Sequence, residues 1–111
     1  MTSAPYAVQR THSLAIAWTM MQEKRIRHLP VLDGTRVVGV VSLRNLQEMM
    51  RTDGQVKHLT MDSAMTADPY LVEPNTPTEE VAKQMAKSRI GSALIVKGGR
   101  LKGIFTTVDA L

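Results

Sequence analysis

Apolar residues in this chain recur first at three- and four-residue spacing and then in unbroken β-branched runs, and the whole sequence of spacings occurs twice. Leu14, Ala17, Trp18 and Met21 mark one helical face. They predict a helix from about His12 to Lys24, with Thr11 or Ser13 as its N-cap. Before it, Tyr6-Ala7-Val8 reads as a short extended segment. After it, His28–Leu32 and Arg36–Val41 bracket Asp33-Gly34-Thr35, an Asp-Gly hairpin signal between apolar runs. Pro30 has no N–H to give to a ladder, so its strand is expected at a sheet edge or with that position unpaired. Leu43–Arg51 predicts a second helix that stops near Thr52-Asp53-Gly54, where glycine supplies a left-handed cap.

Residues 53–64 read as a polar connection, after which the order returns. Tyr70-Leu71-Val72 is the extended segment. Thr76-Pro77-Thr78-Glu79 predicts a helix start with Thr76 as N-cap, Pro77 in the first helical position and Glu79 closing a capping box. Val81, Ala82 and Met85 form the apolar stripe. Ala93–Val96 and Leu101–Phe105 flank the turn Lys97-Gly98-Gly99-Arg100, and Thr106–Leu111 opens a last helix of about one turn, truncated relative to the first copy. The correspondence holds residue by residue at a displacement of 64: Met1-Thr2 onto Met65-Thr66, Pro5-Tyr6 onto Pro69-Tyr70, Arg25-Ile26 onto Arg89-Ile90, and Gly34, Arg36 and Gly39 onto Gly98, Arg100 and Gly103. An ungapped internal duplication means one supersecondary unit used twice. The expected organisation is a single compact domain of two halves, residues 1–52 and 65–111, joined by 53–64. Two such halves packed about a pseudo-two-fold axis would leave paired clefts suited to small ligands.

Composition narrows the functions. The chain has 111 residues, is 43% hydrophobic and contains no cysteine, which excludes disulfides and cysteine-based zinc or nucleophile chemistry and fits an intracellular, cytoplasmic setting. No apolar run reaches the roughly 18 residues of a membrane span, and no basic-then-apolar leader opens the sequence. The net charge of +4 is spread along the chain rather than gathered. With aromatics at 4%, no basic run and no reader motif, nucleic-acid binding is disfavoured. His12, His28 and His58 lack metal-ligand spacing, and nothing resembles an activated nucleophile, so no metal site and no enzyme are expected.

The segment with the most chemistry is Gly103–Asp109, a strand end running into a helix start. Unpaired first-turn amides favour a phosphate there. Thr106 or Thr107 could add a hydroxyl bond, and Asp109 could accept from vicinal ribose hydroxyls. The same residues also read as a plain N-cap with a charge-complementing acid. Tyr70, Leu71 and Val72, with Gly91, Ser92 and Ala93, are candidate walls for an adenine, or simply strand starts. Arg27, His28, Lys87 and Arg89 are candidate phosphate partners, or cations opposing helix dipoles. The first copy carries Ser42, Arg44 and Asn45 at the matching place. Asn45 lacks the charge of the acid, so the site of Ser42, Arg44, Asn45, Arg27 and His28 is expected to be weaker or empty.

Along nearly its whole length the chain resembles a tandem pair of cystathionine-β-synthase (CBS) domains, a Bateman module. The resemblance is carried by Met65-Thr66 with Val72, the Thr76-Pro77 helix start, the apolar hairpin, and the closing Gly-hydrophobic-x-Thr-x-x-Asp from Gly103 to Asp109. It implies an α/β (α+β) fold of two pseudo-symmetric β-α-β-β-α repeats, with two three-stranded sheets and two clefts between the copies. It further implies AMP, ADP, ATP or S-adenosylmethionine as a regulatory ligand, with Asp109 on ribose and Thr106 on phosphate. A homodimer and an attached or separate effector domain are implied as partners. The expected function is ligand sensing relayed by a conformational shift. The competing expectation, favoured by Asn45, is a structural dimerisation module with degenerate clefts.

Overall fold

A computed structural model describes residues 2–3, 6–52, 58–67 and 69–106, with Thr2, Ser3 and Thr52 described by backbone alone. In chain order the elements are β1 (Thr2–Ser3), β2 (Val8–Gln9), α1 (Leu14–Lys24), β3 (His28–Asp33), β4 (Arg36–Ser42) and α2 (Leu43–Thr52). A 3-10 turn (Met61–Ser63) precedes β5 (Thr66–Ala67), β6 (Leu71–Val72), α3 (Thr78–Ser88), β7 (Ser92–Lys97) and β8 (Arg100–Thr106). The displacement of 64 reaches into backbone detail. Gly34 and Gly98 open their hairpin turns at φ 67° and 61°, conformations in which a side chain would be strained. Arg25 and Arg89 end α1 and α3 in the left-handed region at φ 55° and 54°, and Ile26 and Ile90 donate to Met21 and Met85 carbonyls at 3.1 and 2.9 Å. These bonds spend helix-end carbonyls that would otherwise lack partners. Even the ladder irregularity recurs, between Val31 and Leu32 and between Ile95 and Val96.

The strands form two four-stranded sheets, ordered β1-β8-β7-β6 and β2-β3-β4-β5, where three strands each were expected. In each sheet the added strand comes from the head of the other sequence repeat. Thr2 and Ser3 pair with Ile104 and Gly103, and Thr66 and Ala67 pair with Val40 and Gly39. The compact units accordingly cut across the repeats: one comprises Met1–Pro5 with Pro69–Leu111, the other Tyr6–Asp68.

In the unit Tyr6–Asp68, the apolar stripe of α1 (Leu14, Ala17, Met21) meets Val8, Leu29, Val31, Val41, Leu46 and Met61, with Trp18 half-buried against them. Met61 is fully buried, so the stretch expected to be a polar connection supplies a core residue. Arg10 braces it from outside, contacting Asp62 at 3.2 Å and Asp33 at 3.6 Å. The Leu14 N–H donates to the Leu59 carbonyl at 2.8 Å. Gly39 faces this segment so closely that an added Cβ would lie 2.8 Å from the Thr66 carbonyl oxygen. In the other unit Val81, Met85, Ala93, Ile95 and Phe105 cluster with Tyr70, Val72 and Ala82 against them.

Of two local expectations, one resolves to its second alternative and the other needs correction. β3 is an interior strand, not an edge, yet Pro30 sits where its missing N–H is harmless. Its counterpart Leu94 donates to the Tyr70 carbonyl at 2.8 Å, whereas β2 begins its pairing only at Val8 with Val31. The capping box at Thr76 is absent: α3 starts at Thr78 with Pro77 in the cap position and no side-chain cap bond. The Val81 and Glu80 amides instead donate to the Pro77 carbonyl, both at 3.1 Å. Ser13 holds the N-cap position of α1, also without a side-chain bond. The expected Gly54 cap lies outside the described residues.

Candidate functional site

In the second copy the β7–β8 ladder brings the sequence candidates to one end of one sheet. Ser92 pairs with Thr106 at the open end of the hairpin, and β6 lies on the far side of β7, with Leu71 beside Leu94. Tyr70, Gly91, Ser92, Ala93 and Thr106 therefore sit on adjoining backbone. Ser92 and Ala93 are buried, Tyr70, Gly91, Val72 and Thr106 are half-buried, and Leu71 is exposed. Ser92 is the one polar residue among the buried described residues, at 4% exposure. Lys87 and Arg89, at the end of α3, are exposed. Thr107 and Asp109 lie outside the described residues; the chain reaches them directly from the Thr106 end of β8.

The first copy has the same scaffold with different chemistry. His28 pairs with Ser42, and the Leu43 N–H donates to the Arg27 carbonyl at 2.8 Å. The Ser42 N–H and hydroxyl both donate to Asn45 Oδ1, at 3.1 and 2.7 Å, and the Asn45 N–H donates back to Ser42 Oγ at 3.1 Å. This reciprocal box starts α2. A Ser-x-x-Asn pattern ahead of an apolar helix is visible in the sequence, and it is the signal by which this role could have been read. Arg44 points along the helix surface to Glu48 at 3.4 Å, an exposed pair four residues apart. The His28 imidazole is half-buried, and burial, reinforced by the charge of Arg27, holds its pKa below the ordinary histidine value.

A shallow cavity of about 340 Å³ lined by Glu73, Pro74, Asn75, Val96, Lys97 and Gly98 opens at the hairpin-turn end of this sheet. It is at the opposite end of β7 from Ser92 and Thr106. At the matching place in the first copy the carboxamide of Gln9 exchanges two 3.0 Å bonds with Gly34. Among the described residues no cluster of three or more metal-ligating side chains occurs, and no helix is long and apolar enough to cross a membrane.

Comparison with known proteins matches the CBS domain family model twice, at residues 1–52 and 56–111. An inosine-5'-monophosphate dehydrogenase of Korarchaeum cryptofilum is 33% identical over 98 residues, covering 87% of this chain and 20% of the enzyme. The chain thus spans about a fifth of the length of the curated relatives it matches. Among solved structures, an acetoin utilization protein (AcuB) from Vibrio cholerae superposes with a TM-score of 0.87 at 32% identity, covering 98% of this chain and 82% of that one. CBSX2, solved in complex with AMP, superposes with a TM-score of 0.84 at 24% identity, covering 99% and 89%. At that identity the likeness is one of fold.

Proposed function

Because the chain belongs to the CBS domain family and carries two copies of that domain, we propose that it is a regulatory module sensing an adenine nucleotide or related adenosyl compound. The ligand would be AMP, ADP, ATP or S-adenosylmethionine, held by the second copy. Thr106 and Thr107 would bond phosphate at the helix start, Asp109 would accept from the ribose diol, and Tyr70, Val72 and Gly91–Ala93 would border the base. One observation carries this reading: the sheet gathers Tyr70, Gly91, Ser92, Ala93 and Thr106 at the end from which the chain enters Thr107–Asp109. The fold itself has been solved holding AMP, in CBSX2. Occupancy would act by population shift, favouring the conformation that binds the ligand more tightly, and an attached or separate effector would read it. A homodimer in the cytoplasm is the expected working form.

Thermal unfolding with AMP, ATP and S-adenosylmethionine tests the proposal. A ligand at one hundred times its Kd should stabilise the protein by about 2.7 kcal/mol, and Asp109→Ala should remove the effect. The Ser42–Asn45 box supports a second reading, a structural dimerisation module in which these positions serve folding alone. Under that reading no adenosyl compound shifts the transition, while the dimer still forms with rising concentration.

A further inference from the structure

We propose that the cavity of about 340 Å³ at the hairpin-turn end of the second copy's sheet binds a free α-amino acid with an apolar side chain. Its volume lies in the range of small-ligand pockets. It sits at the opposite end of β7 from Ser92 and Thr106, and it is independent of the sensing role proposed above. The first copy shows how the chain can satisfy the matching groups by itself. At the displacement of 64, Gln9, Arg10, Asp33 and Gly34 match Glu73, Pro74, Lys97 and Gly98. The Gly34 N–H donates to Gln9 Oε1 at 3.0 Å, and Arg10 pairs with Asp33 at 3.6 Å.

The second copy has lost both arrangements. Pro74 carries no charge, and Lys97 puts a cation where the first copy has an anion. Gly98 keeps nearly the φ of Gly34, 61° against 67°. Yet among the described residues no ion pair or hydrogen bond engages the Gly98 N–H or the side chains of Glu73, Asn75 and Lys97. One amide donor, one ammonium and one carboxylate therefore border a single cavity with their pairing capacity unspent. A zwitterion answers all three. Its carboxylate accepts from the Gly98 N–H, as Gln9 Oε1 does from Gly34, and meets the ammonium on the flexible stem of Lys97. Its α-ammonium donates to Glu73. The carboxamide of Asn75 can serve either charge, while Pro74 and the half-buried Val96 offer apolar contact. A polyanion such as a nucleotide would meet the Glu73 carboxylate and be disfavoured.

Backbone amide spectra of the intact chain, titrated with L-leucine, L-methionine and L-phenylalanine, test the site. At least one of these should give saturable shifts at Asn75, Val96, Lys97 and Gly98, with Ser92 and Thr106 unmoved. Acetate and isobutylamine carry one charge each and should bind about tenfold more weakly or worse, as loss of a bond to a charged group predicts. Glu73→Gln, which installs the residue of the first copy, and Lys97→Met should each weaken binding by about tenfold or more for the same reason. Undiminished binding in both variants would overturn the proposal. So would acetate or isobutylamine binding as tightly as the amino acid, or no saturable shift with any of the three. Titration with AMP, read at Ser92 and Thr106, decides the sensing role separately.

Discussion

The two repeats share a backbone to within a few degrees at their special positions, yet they carry different polar side chains at matched points. In the first, side chains close the points where strand meets helix and where hairpin meets loop. Asn45 and Ser42 cap α2, Gln9 clamps Gly34, and Arg10 ties the turn to the inter-repeat segment. In the second, the matched residues are Asp109, Thr106, Glu73 and Pro74. A carboxylate has no hydrogen to donate, so Glu73 cannot reproduce the two-way bond of Gln9. The lesson is that a duplicated fold preserves geometry through backbone-determining residues, while the polar side chains at equivalent points are free to diverge.

The sharpest way to break this comparison is through the core of the first unit. Met61→Ala, in the segment between the repeats, should cost about 2–5 kcal/mol in denaturant unfolding, as large-to-small core changes do. A loss under about 0.5 kcal/mol would mean that the segment is a mere tether. Next comes Leu94→Pro, which installs in the second copy what Pro30 is in the first. It leaves the Tyr70 carbonyl without its Leu94 donor, for an expected cost of roughly 1–3 kcal/mol; folding to full stability would show that the two copies treat this position alike. Asn45→Ala removes the reciprocal cap and should cost about 1 kcal/mol. No change in stability would show the box to be incidental.

The smallest effect concerns His28. Its folded pKa lies below its ordinary value of about 6.5, so the unfolded chain takes up the proton more readily than the folded one. Stability from this group is therefore complete above pH about 6.5 and declines as pH falls through that value toward the lower folded pKa. His28→Gln should flatten the decline in a series of melts from pH 7.5 to 5, and an unaltered slope would assign it to other groups.

Much of this arrangement could be read from residues alone, and the failures have a common cause. The helices declared themselves through Leu14, Ala17 and Met21 and through Val81 and Met85, because a buried stripe imposes its period on the sequence. The hairpins declared themselves through Asp33-Gly34 and Gly98-Gly99, because only glycine sits easily at those dihedrals. What escaped were pairings between residues far apart in the chain. Thr2 and Ser3 carry no strand signal of their own and become a strand only by meeting Gly103 and Ile104. Arg10 and Asp62 are 52 residues apart, and nothing local links them. Within the candidate site, the clustering of Tyr70, Gly91–Ala93 and Thr106 followed from strand order. Asn45 was read only as a weaker acceptor for a diol; its bonds to Ser42 show it capping α2.

The reciprocal loan of β1 and β5 has an evolutionary consequence. Each repeat's coding stretch begins with the border strand of its sibling's sheet, so neither can be deleted, shuffled or expressed singly without leaving one sheet a strand short. Gene duplication here created a mutual debt, and that debt keeps the pair together while their chemistries drift apart.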